Sequence, residues 1–325
     1  MNCRDLGFPD EKTYAFPNIV NVEVYRGACP CRCVHCPVGR TSPAERESRF
    51  GSRAMSLDLF KKIVHEMAEY QHAALRIHSV GEPLLWDGLI PALESAQQRA
   101  VKTWVFTSAV TEDVSLLRAL CSHAGIIEVS VNSTSAEDYR ETKGIDAFAL
   151  VKRNIELMHS FITSEGAPIR LIVSRVQSVN RSADDEFVAY WTSSGVVDDA
   201  FVRTYHTYND LLSGAGGQAS SLEHQPCLVH WARFNVSVDG DVVVCFNELF
   251  RPAMDPSLVL GNIREQSIAE TWHGPKLAAL REAELTGDYS RLGFQDALPC
   301  KDCRSCQPLR GGNQTSEYQI KRMSC

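Results

Sequence analysis

Hydrophobic residues in the first two thirds of this chain change their spacing in a repeating order. Short apolar runs with the composition of buried strands occur six times, at residues 19–25, 75–78, 103–106, 126–131, 169–173 and 200–203. Stretches with apolar residues at helical spacing lie between them, near residues 56–71, 88–99, 112–122, 147–162 and 182–194. This alternation predicts an α/β fold, a parallel sheet with helices outside. Functional sites in such folds lie at the carboxyl ends of the strands.

A second pattern begins after residues 209–226, a stretch rich in glycine and serine that predicts a linker. Beyond it, two β-like runs flank Asp239 and Gly240 and predict a hairpin, and a helix is expected near residues 266–284. The predicted organisation is an N-terminal segment at 1–18, a core at 19–208, the linker at 209–226 and a C-terminal domain at 227–325.

Composition narrows the class of protein. The 325 residues are 44% hydrophobic and 22% charged, as in ordinary globular proteins, and no run of 18 apolar residues predicts a membrane span. The first residues lack the apolar core of a signal peptide, so the 12 cysteines indicate metal sites in a reducing cytoplasm rather than disulfides. A net charge of −7 without a long basic run argues against nucleic acid as the substrate. Small molecules and peptides remain as the possible substrates.

Three cysteines follow the first predicted strand. Cys29, Cys33 and Cys36 have the spacing C-x3-C-x2-C, and three thiolates on one loop can hold three irons of a 4Fe–4S cluster while the fourth iron stays open. The alternatives are a redox thiol cluster and a structural zinc site, although zinc sites usually pair two C-x2-C arms. Cys31 and His35 lie inside the same loop and are interpreted as non-ligands.

The loop closely resembles that of the radical S-adenosylmethionine (SAM) enzymes. The resemblance implies a partial (β/α)6 TIM-like barrel and an open iron that chelates SAM, so that the cluster can cleave it reductively. Residues 79–85 follow the second strand and resemble the Gly-Gly-Glu-Pro motif of this family, with Val80 in place of its first glycine. The resemblance therefore assigns Gly81 and Glu82 to the SAM amino group, which suits a carboxylate; the alternative is a simple turn.

The same resemblance assigns further SAM contacts to two strand ends. Ser130 and Asn132 end the fourth strand and look like the segment that meets the ribose and carboxylate of SAM in these enzymes. Arg175 ends the fifth strand, where relatives often place a basic residue for the SAM carboxylate. The alternatives are strand-end capping for the first two residues, and a solvated strand end or a substrate contact for the arginine.

Five further cysteines are clustered after the linker. Cys227 is followed by Cys245 just beyond the predicted hairpin, and then by the group Cys300, Cys303 and Cys306. This arrangement resembles the SPASM/twitch extension of radical SAM enzymes, a small α+β domain that carries auxiliary 4Fe–4S clusters. A full SPASM domain has seven cysteines and two clusters, so five cysteines fit the one-cluster twitch type better. The alternative in this domain is a structural zinc ion.

The predicted ligands of that auxiliary cluster are Cys227, Cys245, Cys300 and Cys303. Cys306 competes for the last place; if it is not a ligand, its thiol is the candidate catalytic hydrogen donor of an epimerase. A dehydrogenase would need no thiol donor, because the auxiliary cluster could serve as the oxidant.

The resemblance implies a radical SAM enzyme that forms a 5′-deoxyadenosyl radical and abstracts hydrogen from its substrate. The favoured substrate is a small polyol, amino sugar or nucleoside in natural-product (antibiotic) biosynthesis, with dehydrogenation, epimerisation or radical C–C coupling as outcomes. Only about 18 residues precede the first strand, which is short for a leader-recognition domain of the peptide-modifying type. Peptide epimerisation or crosslinking and, less favoured, sulfatase-type maturation are the alternatives. A flavodoxin- or ferredoxin-type electron donor is expected as a partner.

Overall fold

The computed structural model describes residues 8, 10–209, 211–212, 226–303, 319–320 and 322–323. The predicted linker at 209–226 falls almost wholly outside the described residues, and Cys306 lies outside them too. The domain boundary expected there therefore stays a prediction. Among the described helices, none combines the length and the apolar character that crossing a bilayer would require.

The six predicted strands of the core form one parallel array. They are β1 (Ile19–Arg26), β3 (Ala74–Val80), β4 (Lys102–Thr107), β5 (Ile126–Ser130), β6 (Arg170–Val176) and β7 (Asp199–Arg203). Each pairs in parallel with the next, in the order β1-β3-β4-β5-β6-β7. A two-residue strand, β2 (Arg53–Ala54), pairs antiparallel with the end of β1. The parallel α/β prediction is confirmed.

The five predicted helices of the core are also present, with ends set by local capping. Ser56, Asp113 and Asn180 each cap a helix with a side-chain oxygen that accepts a backbone N–H from its first turn. The helices are α1 (Glu11–Ala15), α2 (Pro37–Arg40), α3 (Pro43–Phe50), α4 (Leu57–Met67), α5 (Leu89–Gln98), α6 (Val114–His123), α7 (Ala136–Lys143), α8 (Phe148–Glu165), α9 (Arg181–Ser193), α10 (Leu228–Ala232), α11 (Ile268–Trp272) and α12 (Pro275–Thr286).

One helix boundary was predicted wrongly. The single helix expected near 266–284 is divided into α11 and α12, with Gly274 as the N-cap of the second helix. The break follows from Pro275, which has no N–H to continue α11 and is pre-organised for the first turn of a new helix.

The C-terminal strands extend the sheet of the core. They are β8 (Arg233–Val236), β9 (Asp241–Val243) and β10 (Val259–Asn262), and the predicted hairpin joins β8 to β9 antiparallel, with Gly240 at φ +93° in its turn. β8 lies parallel to β1, so the two parts of the chain share a sheet in the order β10-β9-β8-β1 and onward through the core. Asn21 Nδ2 donates to Asn235 Oδ1 across this junction at 2.8 Å, with both side chains buried.

The two faces of the sheet have different surroundings. One face packs with the helices in the main hydrophobic core, which includes Val20, Val22 and Leu75. The residues that alternate with these form a separate apolar cluster at the amino ends of the strands: Ile19, Ala74, Trp104, Ile126 and Ile172, with Ile320 and Met323. On the same face toward the carboxyl ends, Asn21, Arg76 and Glu128 line a cavity. This second face of the sheet therefore changes from apolar at the amino ends of the strands to polar toward their carboxyl ends.

The apolar cluster predicts a structural role for the C-terminal segment. Ile320 is 7% exposed and packs against strand residues far from it in sequence. We expect Ile320→Ala to lower the free energy of unfolding by about 2–4 kcal/mol, because the substitution removes buried methyl groups and leaves a void. Anaerobic urea unfolding of the full chain measures this. Leu285→Ala, at a side chain 48% exposed, is the control and should change stability by less than about 0.5 kcal/mol; equal effects of both variants would contradict the assigned packing.

Candidate functional site

The first cysteine loop follows β1 and is held by contacts from two helices. Arg46, on α3 and 4% exposed, donates from its guanidinium to the carbonyls of Cys29 and Cys31. The N–H of Arg32 donates to the carbonyl of Lys143 at the end of α7 at 2.7 Å. These hydrogen bonds fix the backbone between the cysteines, so the thiol positions do not depend on a ligand alone.

All four thiols of this loop line the large cavity at the carboxyl ends of the strands. Cys29 and Cys33 both hydrogen-bond through sulfur to Cys31, which lowers the pKa of Cys31 and raises the pKa of the other two thiols. Burial raises the pKa of the Cys36 thiol. The predicted ligands Cys29, Cys33 and Cys36 are thus brought together, with Cys31 among them, and its interpretation as a non-ligand stays a prediction.

The donor set fits an iron–sulfur cluster better than a single metal ion. In the part of the chain that the structure describes, no group of three or more His, Cys, Asp or Glu residues has the geometry to hold one metal ion. The thiols instead line a cavity with a volume of about 310 Å³. Several thiols beside one cavity suit a multi-iron cluster, which bonds each ligand sulfur to a different iron.

The segment after β3 lies directly against this loop. A Cβ on Gly81 would come 2.6 Å from the carbonyl oxygen of Ala28, so only glycine allows the approach. The N–H of Glu82 donates to that same carbonyl at 3.0 Å. Both residues line the cavity, and their assignment to the SAM amino group stays a prediction.

The Glu82 carboxylate is buried and well supplied with hydrogen bonds. It accepts from Thr107 Oγ1 at 2.7 Å, from the N–H and hydroxyl of Ser108 at 2.9 and 2.6 Å, and from the N–H of Leu84 at 3.2 Å. Burial raises the pKa of Glu82, and these hydrogen bonds act against that rise. The carboxylate is therefore fixed in one orientation at the cavity wall.

The three residues predicted at the ends of β5 and β6 have different surroundings. Ser130 lines the cavity. Asn132 is buried at φ +66° and joins the two strand ends, because its Oδ1 accepts from the N–H of Val176 at 2.6 Å and its Nδ2 donates to Ser130 Oγ at 2.9 Å. Arg175 pairs with Asp184 at 2.8 Å and with Asp138 at 3.1 Å and is not part of the cavity lining. Its predicted role toward SAM stays a prediction.

Lys143 is a buried cation of the cavity that the sequence did not predict. It is 2% exposed, and its Nζ donates to Ser130 Oγ at 3.1 Å. Burial lowers the pKa of Lys143, but the neighbouring thiols, chiefly that of Cys33, and the Glu82 carboxylate outweigh burial and raise it. Its position in the last turn of α7, before Gly144 at φ +68°, is typical of a solvated helix end, so the local sequence gave no sign of its burial.

The second cysteine group faces the same cavity from the C-terminal part of the sheet. Cys227 precedes α10, Cys245 follows β9, and Cys300 and Cys303 lie at the 3₁₀-helix Pro299–Asp302. All four thiols line the cavity, so the four predicted ligands are brought together. Burial raises the pKa of Cys245, and the other three thiols act in the same direction.

A buried carboxylate–imidazole pair adjoins this second group and was not foreseen. Glu284, on α12, accepts from His230 Nδ1 at 2.8 Å and from Trp231 Nε1 at 2.8 Å. His230 Nε2 lies 3.9 Å from Cys300 Sγ. Burial lowers the pKa of His230, but Glu284 and Cys300 outweigh burial and raise it well above its usual value.

The wall of the cavity that both cysteine groups line is partly polar and includes unsatisfied neutral groups. Arg203 and Glu128 form a bidentate ion pair, which satisfies the charges of both. Among the described residues, no hydrogen-bond partner meets either ring nitrogen of His78, Oδ1 of Asn21 or Nδ1 of His206. Burial lowers the pKa of His78 well below its usual value and that of His206 to about 4, so both rings are neutral at pH 7.

Sequence comparison links the C-terminal cysteines and the whole chain to known proteins. Residues 227–307 match the profile of SPASM, an iron-sulfur cluster-binding domain. Over 294 residues the chain is 23% identical to an S-adenosyl-L-methionine-dependent 2-deoxy-scyllo-inosamine dehydrogenase of Niallia circulans, and the match spans 89% of this chain and 93% of that protein.

Solved structures share the fold at low sequence identity. SuiB of Streptococcus suis, bound to its precursor peptide SuiA, matches at TM-score 0.64 and 14% identity, over 86% of this chain and 68% of SuiB. The anSMEcpe structure with bound AdoMet matches at TM-score 0.61 and 14% identity, over 93% and 95% of the two chains. BtrN in complex with AdoMet and 2-DOIA matches at TM-score 0.50 and 16% identity, over 90% and 94%.

The close packing of the first cysteine loop predicts that a side chain at Gly39 would displace the loop. A Cβ there would lie 2.3 Å from the carbonyl oxygen and 2.4 Å from the nitrogen of Cys33. We therefore expect Gly39→Ala to displace the loop and to remove most of the iron held by the first cysteine group. Iron analysis and EPR spectroscopy after anaerobic reconstitution measure this. Gly293→Ala is the control, because a Cβ at Gly293 meets no described atom within 4 Å; normal first-cluster signals in both variants would refute the prediction.

Proposed function

Because this chain is a radical SAM enzyme with a C-terminal SPASM domain, we propose that it oxidises a secondary alcohol on a small polyhydroxylated or amino-substituted ring. The observation that carries this proposal is the set of unsatisfied polar atoms on neutral side chains in the cavity that both cysteine groups line. The similarity to a dehydrogenase of an aminocyclitol, at nearly full length of both proteins, supports the same class of reaction.

The residues that would hold the cofactors are those brought together at the cavity. We assign Cys29, Cys33 and Cys36 to the cluster that binds SAM, and the second cysteine group to one auxiliary cluster. When bound, these groups supply the radical chemistry, because the first cluster cleaves SAM to a 5′-deoxyadenosyl radical and the second can take up an electron. The protein itself binds, orients and shields the reactants.

The SAM contacts follow from charge and position. The buried Glu82 carboxylate is a suitable partner for the SAM amino group, through charge-assisted hydrogen bonds. Lys143 places its ammonium group beside Ser130, at the end of β5. It is a suitable partner for the SAM carboxylate. We expect Lys143 to make this contact rather than Arg175, whose guanidinium is paired with Asp138 and Asp184.

The unsatisfied polar atoms of the cavity wall suit hydroxyl groups. A buried polar group without a partner costs about 1–3 kcal/mol, so the free nitrogens of His78 and the free oxygen of Asn21 favour a ligand that supplies matching donors and acceptors. A hydroxyl group both donates and accepts. Arg203 and Glu128 form an ion pair in this wall, which Arg76 and Arg233 also line. A ring that carries several hydroxyl groups meets these conditions.

The proposed oxidation balances without a thiol hydrogen donor. The carbinol carbon would lose one hydrogen atom to the 5′-deoxyadenosyl radical, and the resulting substrate radical would then release one electron and pass its hydroxyl proton to a neutral imidazole of the wall, such as His78, to become a ketone. The auxiliary cluster is the expected electron acceptor. Cys306, the predicted hydrogen donor of an epimerase, lies outside the described residues, and the proposed reaction does not use it.

Isotope transfer tests the reaction class. The anaerobically reconstituted and reduced enzyme would be given SAM with 2-deoxy-scyllo-inosamine deuterated at each carbinol carbon in turn, and separately with scyllo-inositol. We expect one carbinol deuterium to appear in 5′-deoxyadenosine and the product to lack two hydrogens, as mass spectrometry would show. A product one mass unit lighter than the deuterated substrate, with solvent hydrogen at the reacting carbon, would instead indicate epimerisation. Turnover confined to peptide substrates would refute the proposed substrate class.

The role of His78 in binding hydroxyl groups is tested by substitution. One neutral hydrogen bond is worth about 1 kcal/mol, so His78→Ala should raise KM for the accepted substrate by about fivefold, while His78→Gln, which keeps a donor and an acceptor, should restore part of the loss. His65→Ala, at an exposed position on α4, is the control and should leave KM unchanged. Equal KM values for His78→Ala and the control would show that His78 does not bind the substrate, which contradicts the proposal.

A further inference from the structure

The Glu284–His230 pair next to the second cysteine group is held in place by several buried hydrogen bonds. The Glu284 carboxylate accepts three hydrogen bonds, from the N–H of Cys227 at 3.2 Å, from His230 Nδ1 at 2.8 Å and from Trp231 Nε1 at 2.8 Å. Both side chains are nearly inaccessible, with Glu284 3% and His230 2% exposed. A buried carboxylate is costly unless its oxygens are satisfied, and here each oxygen has a donor.

The backbone of His230 is fixed independently by a second buried cation. Arg281, one turn before Glu284 on α12, donates from Nε to the carbonyl of His230 at 2.8 Å and from Nη1 to the carbonyl of Trp272 at 2.8 Å. The imidazole is therefore held at its backbone by one residue of α12 and at its ring by another. This double attachment leaves the ring only one orientation toward the cavity.

That orientation directs the far nitrogen of the ring at a predicted cluster ligand. His230 Nε2 lies 3.9 Å from Cys300 Sγ. A carboxylate can only accept, so Nδ1 carries a hydrogen toward Glu284. A cluster-bound sulfur is also an acceptor, so Nε2 is a donor toward Cys300 when the cluster is present. The geometry matches the arrangement in which a ligating group is oriented by an outer hydrogen-bonded partner.

We propose that Glu284 and His230 are positioning residues that donate a hydrogen bond to the sulfur of Cys300 and raise the reduction potential of the auxiliary cluster. Reduction adds negative charge to the cluster, and a hydrogen-bond donor on a ligand sulfur stabilises that charge. Such a cluster accepts an electron more readily, as an alcohol oxidation requires. The usefulness of this effect rests on the proposed function, whereas the effect itself rests on the contact with Cys300.

Redox titration of the full-length enzyme tests the proposal. The two clusters would be followed by EPR spectroscopy in anaerobically reconstituted protein, and SAM addition identifies the first cluster, because only that cluster binds SAM. We expect His230→Gln and Glu284→Gln each to shift the midpoint potential of the second cluster downward and to leave that of the first cluster unchanged. His273→Gln, at an exposed histidine between α11 and α12, is the matched control and should shift neither potential.

Each outcome decides the proposal. A downward shift in both variants, with iron content equal to that of the parent enzyme, supports it. Unchanged potentials in both variants overturn it, and so does loss of the second cluster in both, since the pair would then be needed for assembly rather than for potential. The titration contains no substrate, so an enzyme that oxidises no alcohol but shows the shift would refute the proposed function alone. An active dehydrogenase without the shift would refute this inference alone.

Discussion

The parallel pairing of β1 with β8 is the interaction on which the rest of this structure depends. β1 carries the first cysteine loop at its carboxyl end, and β8 begins the hairpin whose second strand leads to Cys245. Both cysteine groups line one cavity, although Cys227 precedes β8 and Cys245 follows β9, which runs antiparallel to β8. The buried hydrogen bond between Asn21 and Asn235 lies on this junction and favours one register, since a slip of one residue would leave both amides without their partner.

A cavity lined with this many polar groups is unfavourable unless the charges are paired. Among the charged side chains of the wall, Arg203 pairs with Glu128, Glu284 with His230, and Lys143 lies among the thiols and Glu82. The unsatisfied ring nitrogens of His78 and His206 and the unsatisfied oxygen of Asn21 belong to neutral groups of the same wall. Unsatisfied groups in a folded interior commonly mark the place of a ligand, which is why the proposed substrate site and the unpaired atoms coincide.

Rigid backbone contacts give the two ends of the cavity their shape. Gly39 and Gly81 bring the cysteine loop against itself and against the segment after β3, at distances that exclude any Cβ. On the opposite side, Arg281 and Glu284 fix the imidazole of His230 from the same helix. Catalytic groups that are held before a ligand binds need less reorganisation during the reaction, which favours chemistry on reactive intermediates.

Much of the fold followed from local patterns in the sequence. The change between strand and helix spacing predicted the six core strands and their helices, because apolar periodicity reports which face of an element is buried. The spacing of Cys29, Cys33 and Cys36 indicated the cluster loop for a similar reason, since its chemistry is contained in eight consecutive residues. The break before Pro275 is also encoded locally, because proline cannot continue a helix. The prediction of one helix over 266–284 gave more weight to the apolar spacing than to this proline.

Other features were decided by the tertiary structure alone. Lys143 has the sequence context of an exposed helix end but lies buried beside the thiols, and Arg175 has that of a site residue but is paired with two aspartates. His230 and Glu284 are 54 residues apart, and nothing near either one in the sequence announces the other. The sequence by itself determined the elements and the local cysteine motif, because these depend on neighbours along the chain. Two features depend on strands and helices that approach each other only after folding: which charged side chains form pairs, and which neutral polar atoms are left without a partner for a ligand to meet.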